Sequence, residues 1–293
     1  MRPSSVVRLA CVALLVPAAA AVAQSDTAWE KSYPLSGSPT LALEVGDSSL
    51  SVHACSGCRA VHILVAMLGE QLSNYTLVQE ASGNRVHFSL KEKAHVGLHM
   101  NFHMNMQRYV RVEVETPPDV TLDARTGDGG LSVAGLRGAI TLQTSNGSQS
   151  VQDVSGTLRL HGLDGAIHVQ RASGTLEAQV TDGALSVDGA FTALRLQSTD
   201  GAVSVNLAEG SHLNAPSSIQ GKDGSVSVHL PHNFPANLDL RTNDGSLHSS
   251  LPLTVDEYAS HDDSGHSIHG KLDGGGAPFT IHTSDGSLSL SRS

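Results

Sequence analysis

Apolar residues along this chain fall in pairs two apart, and the pairs return at a step of 18 residues. Leu131/Val133, Ile167/Val169, Leu185/Val187, Val203/Val205 and Val226/Val228 each follow shortly after an Asp-Gly dipeptide. A second set recurs in the same units: Ile140/Leu142, Leu158/Leu160, Leu176/Ala178 and Leu194/Leu196, with Leu238/Leu240 and Phe279/Ile281 later in the chain. Between the sets stands one small or apolar residue, Leu136, Val154, Ala172, Ala190 or Ala208. Gln149, beside Val151, is the single break in the first column. Apolar positions two apart, flanked by polar ones, mark a strand with one buried face. Each unit therefore reads as two short strands. One joint is Asp-Gly, at 128, 164, 182 and 200, with Asn146-Gly147 in the same series; the other carries Gly138, Gly156 or Gly174.

Asp-Gly between alternating runs is also a strong hairpin signal, so a meander competes with a solenoid. The two joints differ in kind, and equivalent positions keep their identity at an unbroken step. Both facts favour stacked coils. Stacking would place Val133, Val151, Val169, Val187 and Val205 above one another at about 4.8 Å. The expected fold is all-β: a single β-solenoid with about 18 residues per coil.

The chain opens with Arg2 and Arg8, an apolar run from Leu9 to Ala21, and the small residues Ala21-Val22-Ala23. This reads as a secretory signal peptide over 1–23, too short for a good membrane span. Cys11 stands at the start of the apolar run rather than after it, which argues against lipidation there. Residues 24–39 are expected as a linker, 40–118 as an N-terminal β section, and 119–293 as the regular coils. An insertion rich in His, Asp and Gly interrupts the coils at about 250–278, and a closing coil resumes at Phe279. Without the 23 leading residues, Arg2 and Arg8 leave the basic count, giving 16 basic against 28 acidic residues. Such a surface disfavours nucleic acid as a partner. Aromatic residues are 3% of the chain, which disfavours a large aromatic-lined pocket. Cys55-Ser-Gly-Cys58 lies between strand-like segments, with neither a second Cys pair nor a helix after it. In an exported chain this reads as a local disulfide.

Pro117-Pro118, the Thr-Gly-Asp-Gly of 126–129, units such as Gly174-Thr-Leu-Glu-Ala-Gln-Val-Thr-Asp-Gly183, and the terminal Thr283-Ser-Asp-Gly-Ser-Leu-Ser-Leu290 carry a family likeness. From roughly Leu41 to Leu290 the chain resembles the bacterial "putative adhesin" β-strand-repeat family, domain of unknown function 4097. The resemblance implies an adhesin-like β-solenoid and an envelope location, and it brings no catalytic residues.

Several segments invite a chemical reading. His95, His99, Met100, His103, Met104 and Met106 are copper-type ligands. Yet Val96, Leu98, Met100, Phe102, Met104 and Met106 share one parity, and His99 and His103 on a strand would stand about 13 Å apart. An amphipathic strand is the preferred reading. His261, Asp262, Asp263, His266, His269 and Asp273 in the insertion are zinc- or calcium-type ligands without a close ligand motif. They read first as a solvated loop and remain the candidates for a metal site. Calcium-binding β-rolls carry Gly-Gly-x-Gly-x-Asp in both halves of each coil; here one half carries Asp, as an ordinary turn residue. Arg159, Glu177 and Arg195 alternate in sign down one column, which suits a structural ladder.

Neither a catalytic constellation nor a cofactor motif stands out. The expected function is an exported, non-enzymatic scaffold or adhesin-like binding module of the cell envelope, in periplasm or at the surface. Its partner would be an envelope protein or glycan, met through outward side chains such as Gln179 and Gln197, and no membrane span is expected after the leader. The alternatives are a β-helix carbohydrate-active enzyme, a lyase or glycosidase, needing clustered carboxylates, and a metal-binding envelope protein.

Overall fold

The computed structural model describes residues 27–93, 108–258 and 266–293. The N-terminal section forms β1 (Thr27–Pro34), β2 (Thr40–Val45), β3 (Ser49–Ala54), β4 (Ala60–Leu68), β5 (Tyr75–Ser82), β6 (Arg85–Glu92) and β7 (Tyr109–Thr116). The regular coils follow as β8 (Asp119–Thr126), β9 (Leu131–Ala134), β10 (Arg137–Thr144), β11 (Gln149–Gln152), β12 (Ser155–Asp164), β13 (Ile167–Asp182), β14 (Leu185–Asp200) and β15 (Val203–Leu207). The C-terminal part holds β16 (Ser217–Asp223), β17 (Val226–Leu230), β18 (Ala236–Asp244) and β19 (Leu247–Ser249). It ends with β20 (Thr254–Tyr258), β21 (His266–Leu272), β22 (Ala277–Asp285) and β23 (Leu288–Arg292).

The chain is the β-solenoid that its periodicity predicts. Each regular coil adds one long strand to a broad sheet and one short strand to a narrow sheet, all in parallel. In the broad sheet Ile140 pairs with Leu122 on one side and Leu158 on the other. In the narrow sheet Val133, Val151, Val169, Val187, Val205 and Val228 form one unbroken inward column. All six are at most 2% exposed, so the side chains that alternate toward the interior close one continuous core. β13 and β14 run through both sheets, with register shifts where they bend.

Asp-Gly is a corner of the solenoid, and its glycine is required by stacking as well as by turning. A Cβ on Gly183 would lie 2.4 Å from the carbonyl oxygen of Gly165 in the coil below. Glycine lets the two backbones pass, and the Gly183 N–H donates to the Asp200 carbonyl at 2.9 Å, carrying the ladder through the corner. Gln149, which breaks the apolar column, is fully buried. Its Nε2 donates to the His161 carbonyl at 2.6 Å and to Thr144 Oγ1 at 3.1 Å. A side chain on Gly162 would touch Thr144 and Ile167, so its absence leaves room beside this polar group.

Both ends depart from simple stacking. At the N-terminal end the first coil, β2 and β3, lies between β6/β7 and β8/β9, so chain order and spatial order differ. Antiparallel β5, and β4 with β1, continue the two sheets beyond it. Residues 27–34, expected within a linker, are thus a paired strand, because β4 offers them an open sheet edge. At the C-terminal end β22 lies between β16 and β18, and β23 between β17 and β19. The closing coil is therefore inserted within the stack. The expected insertion at 250–278 contributes β20 and β21, paired antiparallel as a continuation of the broad sheet beyond β18. The proposed leader, 1–23, lies outside the described residues. Among the described residues no helix is long and apolar enough to cross a membrane.

Candidate functional site

The outward face of the broad sheet carries two columns of long polar side chains, because each of β8, β10 and β12 is at least eight residues long and alternates inward and outward. One column runs Asp123, Thr141, Arg159, Glu177, Arg195. The next runs Glu44, Arg125, Gln143, His161, Gln179, Gln197, Gln220.

Three adjoining shallow hollows lie along these columns. The largest, 570 Å³, is lined by residues including Glu44, Asp47, Lys91, Arg125, Gln143, His161 and Leu163. The second, 340 Å³, shares Gln143 and His161 with the first and adds Thr141, Arg159, Glu177 and Gln179. A third, 190 Å³, shares Arg159 and Glu177 with the second and reaches Arg195 and Pro216. Shared walls make them one groove across successive coils.

Local pairing holds the groove side chains in place. Lys91 meets Glu44 at 2.7 Å, and Arg125 meets Asp123 at 2.9 Å. Arg125 Nε also donates to Gln143 Oε1 at 3.1 Å, fixing that amide's orientation. Arg159 faces Glu177 at 3.6 Å, one rung of the expected charge ladder. These are exposed pairs that contribute little to stability; what they organise is the surface. Leu163 adds an exposed apolar side chain to the first hollow, where the same position one and two coils on is Thr181 and Thr199.

Gln179 is exposed and lines the second hollow, while Gln197 is exposed on the next rung, beyond the three hollows. Arg125, Gln143 and His161 went unnoticed in the sequence, although they precede Gln179 at the same step of 18. Glu44 and Lys91 follow no such step, since their strands join the groove through the rearranged N-terminal end.

The other expected sites lie elsewhere. Cys55 and Cys58 form a disulfide across the turn after β3, with Cα atoms 5.8 Å apart. His269 on β21 faces Asp239 at 3.2 Å, and Asp239 also binds Arg241 at 2.8 Å. His266 begins the same strand. His261, Asp262 and Asp263 lie outside the described residues, as does the copper-type segment from His95 to Gln107. Asp273 binds Arg292 and the Phe234 N–H. Among the described residues no three His, Cys, Asp or Glu side chains are grouped as a metal site.

Along the corner beside the groove, Asp164, Asp182, Asp200, Asp223, Asp285 and Asp244 stack in register. Hydrogen bonding to Asp182, then desolvation and Asp223, hold the Asp200 carboxyl above the usual carboxylate range. Asp285 is raised likewise, chiefly by Asp223. Asn146 relieves the same crowding lower in the stack, donating to Asp128 at 2.6 Å.

Comparison with known proteins yields a family and a fold. The family model Toastrack DUF4097 matches residues 65–291. A "putative lipid binding protein" from Parabacteroides distasonis is similar in structure at a TM-score of 0.52 and 12% identity, covering 89% of this chain and 96% of that one. A "putative adhesin" from Bacteroides fragilis covers the same shares at 12% identity and a TM-score of 0.41. No curated protein matches the sequence.

Proposed function

The chain belongs to the Toastrack DUF4097 family, and from that premise we propose that it is an exported binding module of the cell envelope that acts without chemical turnover. Its ligand is an extended, hydroxyl-rich polymer, an envelope glycan, lying across the coils in the groove of the broad sheet. The observation that carries this reading is the in-register run Gln143, His161, Gln179 along shared hollow walls. An amide both donates and accepts, as a sugar hydroxyl does, and successive rungs repeat at about 4.8 Å. A polymer running along the solenoid meets a new polar rung at every coil, so many modest contacts add up. The net charge of −10 disfavours a polyanion over a neutral chain. Most apolar side chains of both sheets point inward, and the side chains that project into the groove are amide, hydroxyl, imidazole and charged groups beside the exposed Leu163.

The test is calorimetric titration of the full chain with neutral polysaccharide fractions from bacterial envelopes, beside a variant carrying Gln143→Ala and Gln179→Ala. Two lost hydrogen bonds at about 1 kcal/mol each predict an affinity weaker by roughly tenfold to thirtyfold, with the folded state retained. Equal binding by both proteins would reject the groove. Release of shortened saccharides, abolished by Glu177→Gln, would replace this reading with that of a glycan-cleaving enzyme.

A further inference from the structure

We infer that the C-terminal coil, β22 with β23, is an exchangeable strand pair, and that the slot it fills accepts the same coil from a second copy of this chain. The slot has two complete walls. β22 is hydrogen-bonded in parallel to β16 and β18, and β23 to β17 and β19. The walls belong to consecutive coils joined by a link of five residues, 231–235, so one stretch of chain, 217–249, supplies both sides of the slot. Insertion buries Phe279, Ile281, Leu288 and Leu290, each at most 1% exposed, and leaves no free strand edge inside the stack. A vacant slot would present four such edges and an apolar cleft. That is the template for strand addition, and an identical coil is the occupant whose register it fits. Asp285 stacks between Asp223 and Asp244, and a Cβ on Gly286 would meet the Gly224 carbonyl at 2.1 Å, so the corner fixes how any incoming coil must sit.

The hinge is what selects the coil's own chain. Asp273, Gly274 and Gly275 have φ of +48, +89 and +84, three successive residues in the left-handed region, which for Asp273 is strained. The Asp273 carboxylate accepts from Arg292 at 2.8 and 2.9 Å and from the Phe234 N–H at 2.7 Å. It thereby ties the hinge to the far end of the inserted coil and to the link across the slot. Arg292 also donates to the Pro231 carbonyl. An extended hinge would relieve the strained φ of Asp273 and carry the coil to a neighbour, whose slot offers the same walls.

Ser227 and Ser289 are register partners on β17 and β23 and are not buried, so a cysteine at each would report insertion. Two full-length proteins, Ser227→Cys and an isotopically labelled Ser289→Cys, are unfolded together, refolded at high concentration with the Cys55–Cys58 bond intact, and oxidised. The expected result is a disulfide-linked dimer whose cross-linked peptide joins residue 227 of one isotope to residue 289 of the other. Gly274→Ala should raise the dimer fraction severalfold, because a side chain there meets no atom within 4 Å and penalises only the positive φ of the closed hinge. A chain carrying both cysteines serves as the control for geometry. If that chain forms the 227–289 bond internally while the mixed proteins form none between copies, the proposal is overturned.

Discussion

The two outward faces of the solenoid are made by one repeat and yet present different surfaces. On the broad sheet the outward columns are Arg, Glu, Gln and His, set in a groove. On the narrow sheet one outward column runs Ser51, Ser132, Ser150, His168, Ser186, Ser204, Ser227, Ser289, His248, a line of short hydroxyls with two imidazoles. Strand length separates them. β9 and β11 have four residues each and so only two outward positions, while β8 and β10 have eight residues. Burial fixes the inward columns of both sheets; the outward ones are free to differ, and difference there is where a binding role is to be sought.

The heaviest blow to this comparison would abolish both faces together. Val187 is 2% exposed between Val169 and Val205. Val187→Asp buries a carboxylate with no cation to meet it and should cost more than about 4 kcal/mol. Urea unfolding followed by circular dichroism would measure it, and a midpoint near that of the unaltered protein would contradict the shared core.

A smaller effect concerns the corner between the faces. Asp200 has its carboxyl raised by Asp182 and Asp223. A raised carboxyl pKa means that the folded state holds its proton more tightly than the unfolded one. This contribution is fully present below the ordinary carboxylate range and is lost as the pH climbs through the raised value. Asp200→Asn should therefore melt higher than the parent at pH 7, with the advantage shrinking on acidification through that range. Melting curves from pH 3 to pH 8 would show it. A lower melting point at pH 7 would mean that the stacked carboxylates are held by something other than mutual crowding.

The smallest effect sharpens the contrast. Ser186→Ala with Ser204→Ala alters the narrow face alone, at positions that point outward. Stability should change by no more than about 0.5 kcal/mol per site, and glycan affinity should stay within about twofold, as titration beside the parent would establish. A loss matching that of the Gln143 and Gln179 pair would move the site to the other face.

The middle of the molecule was legible in the sequence because neighbours in space are there separated by one fixed step. Val133 to Val205, and Arg125 to Gln197, can be counted off at 18 residues. The ends were not legible, for a physical reason. Residue 217 pairs with residue 279 across a segment that builds another coil and an antiparallel cap, and no local pattern distinguishes an inserted coil from a terminal one. Thr27–Pro34 lacks a clear apolar face, since Tyr33 is its one buried residue, and what recruits it is the edge of β4. The groove's coil-to-coil column was open to simple counting, whereas Glu44 and Lys91 needed the rearranged end to bring them there. Gln149 was visible as an exception, but its partners, His161 and Thr144, emerge only when coils stack.

The reading of the groove as a multivalent glycan site stands or falls on how affinity depends on ligand length. Calorimetry with a homologous series of neutral oligosaccharides, lengthened one sugar at a time, tests it directly. The account predicts that affinity rises with each added sugar until the ligand spans the hollows from Lys91 to Arg195, then levels off, and that the rise is blunted by Gln143→Ala with Gln179→Ala. An affinity already complete with one or two sugars, or no binding at any length, would contradict it.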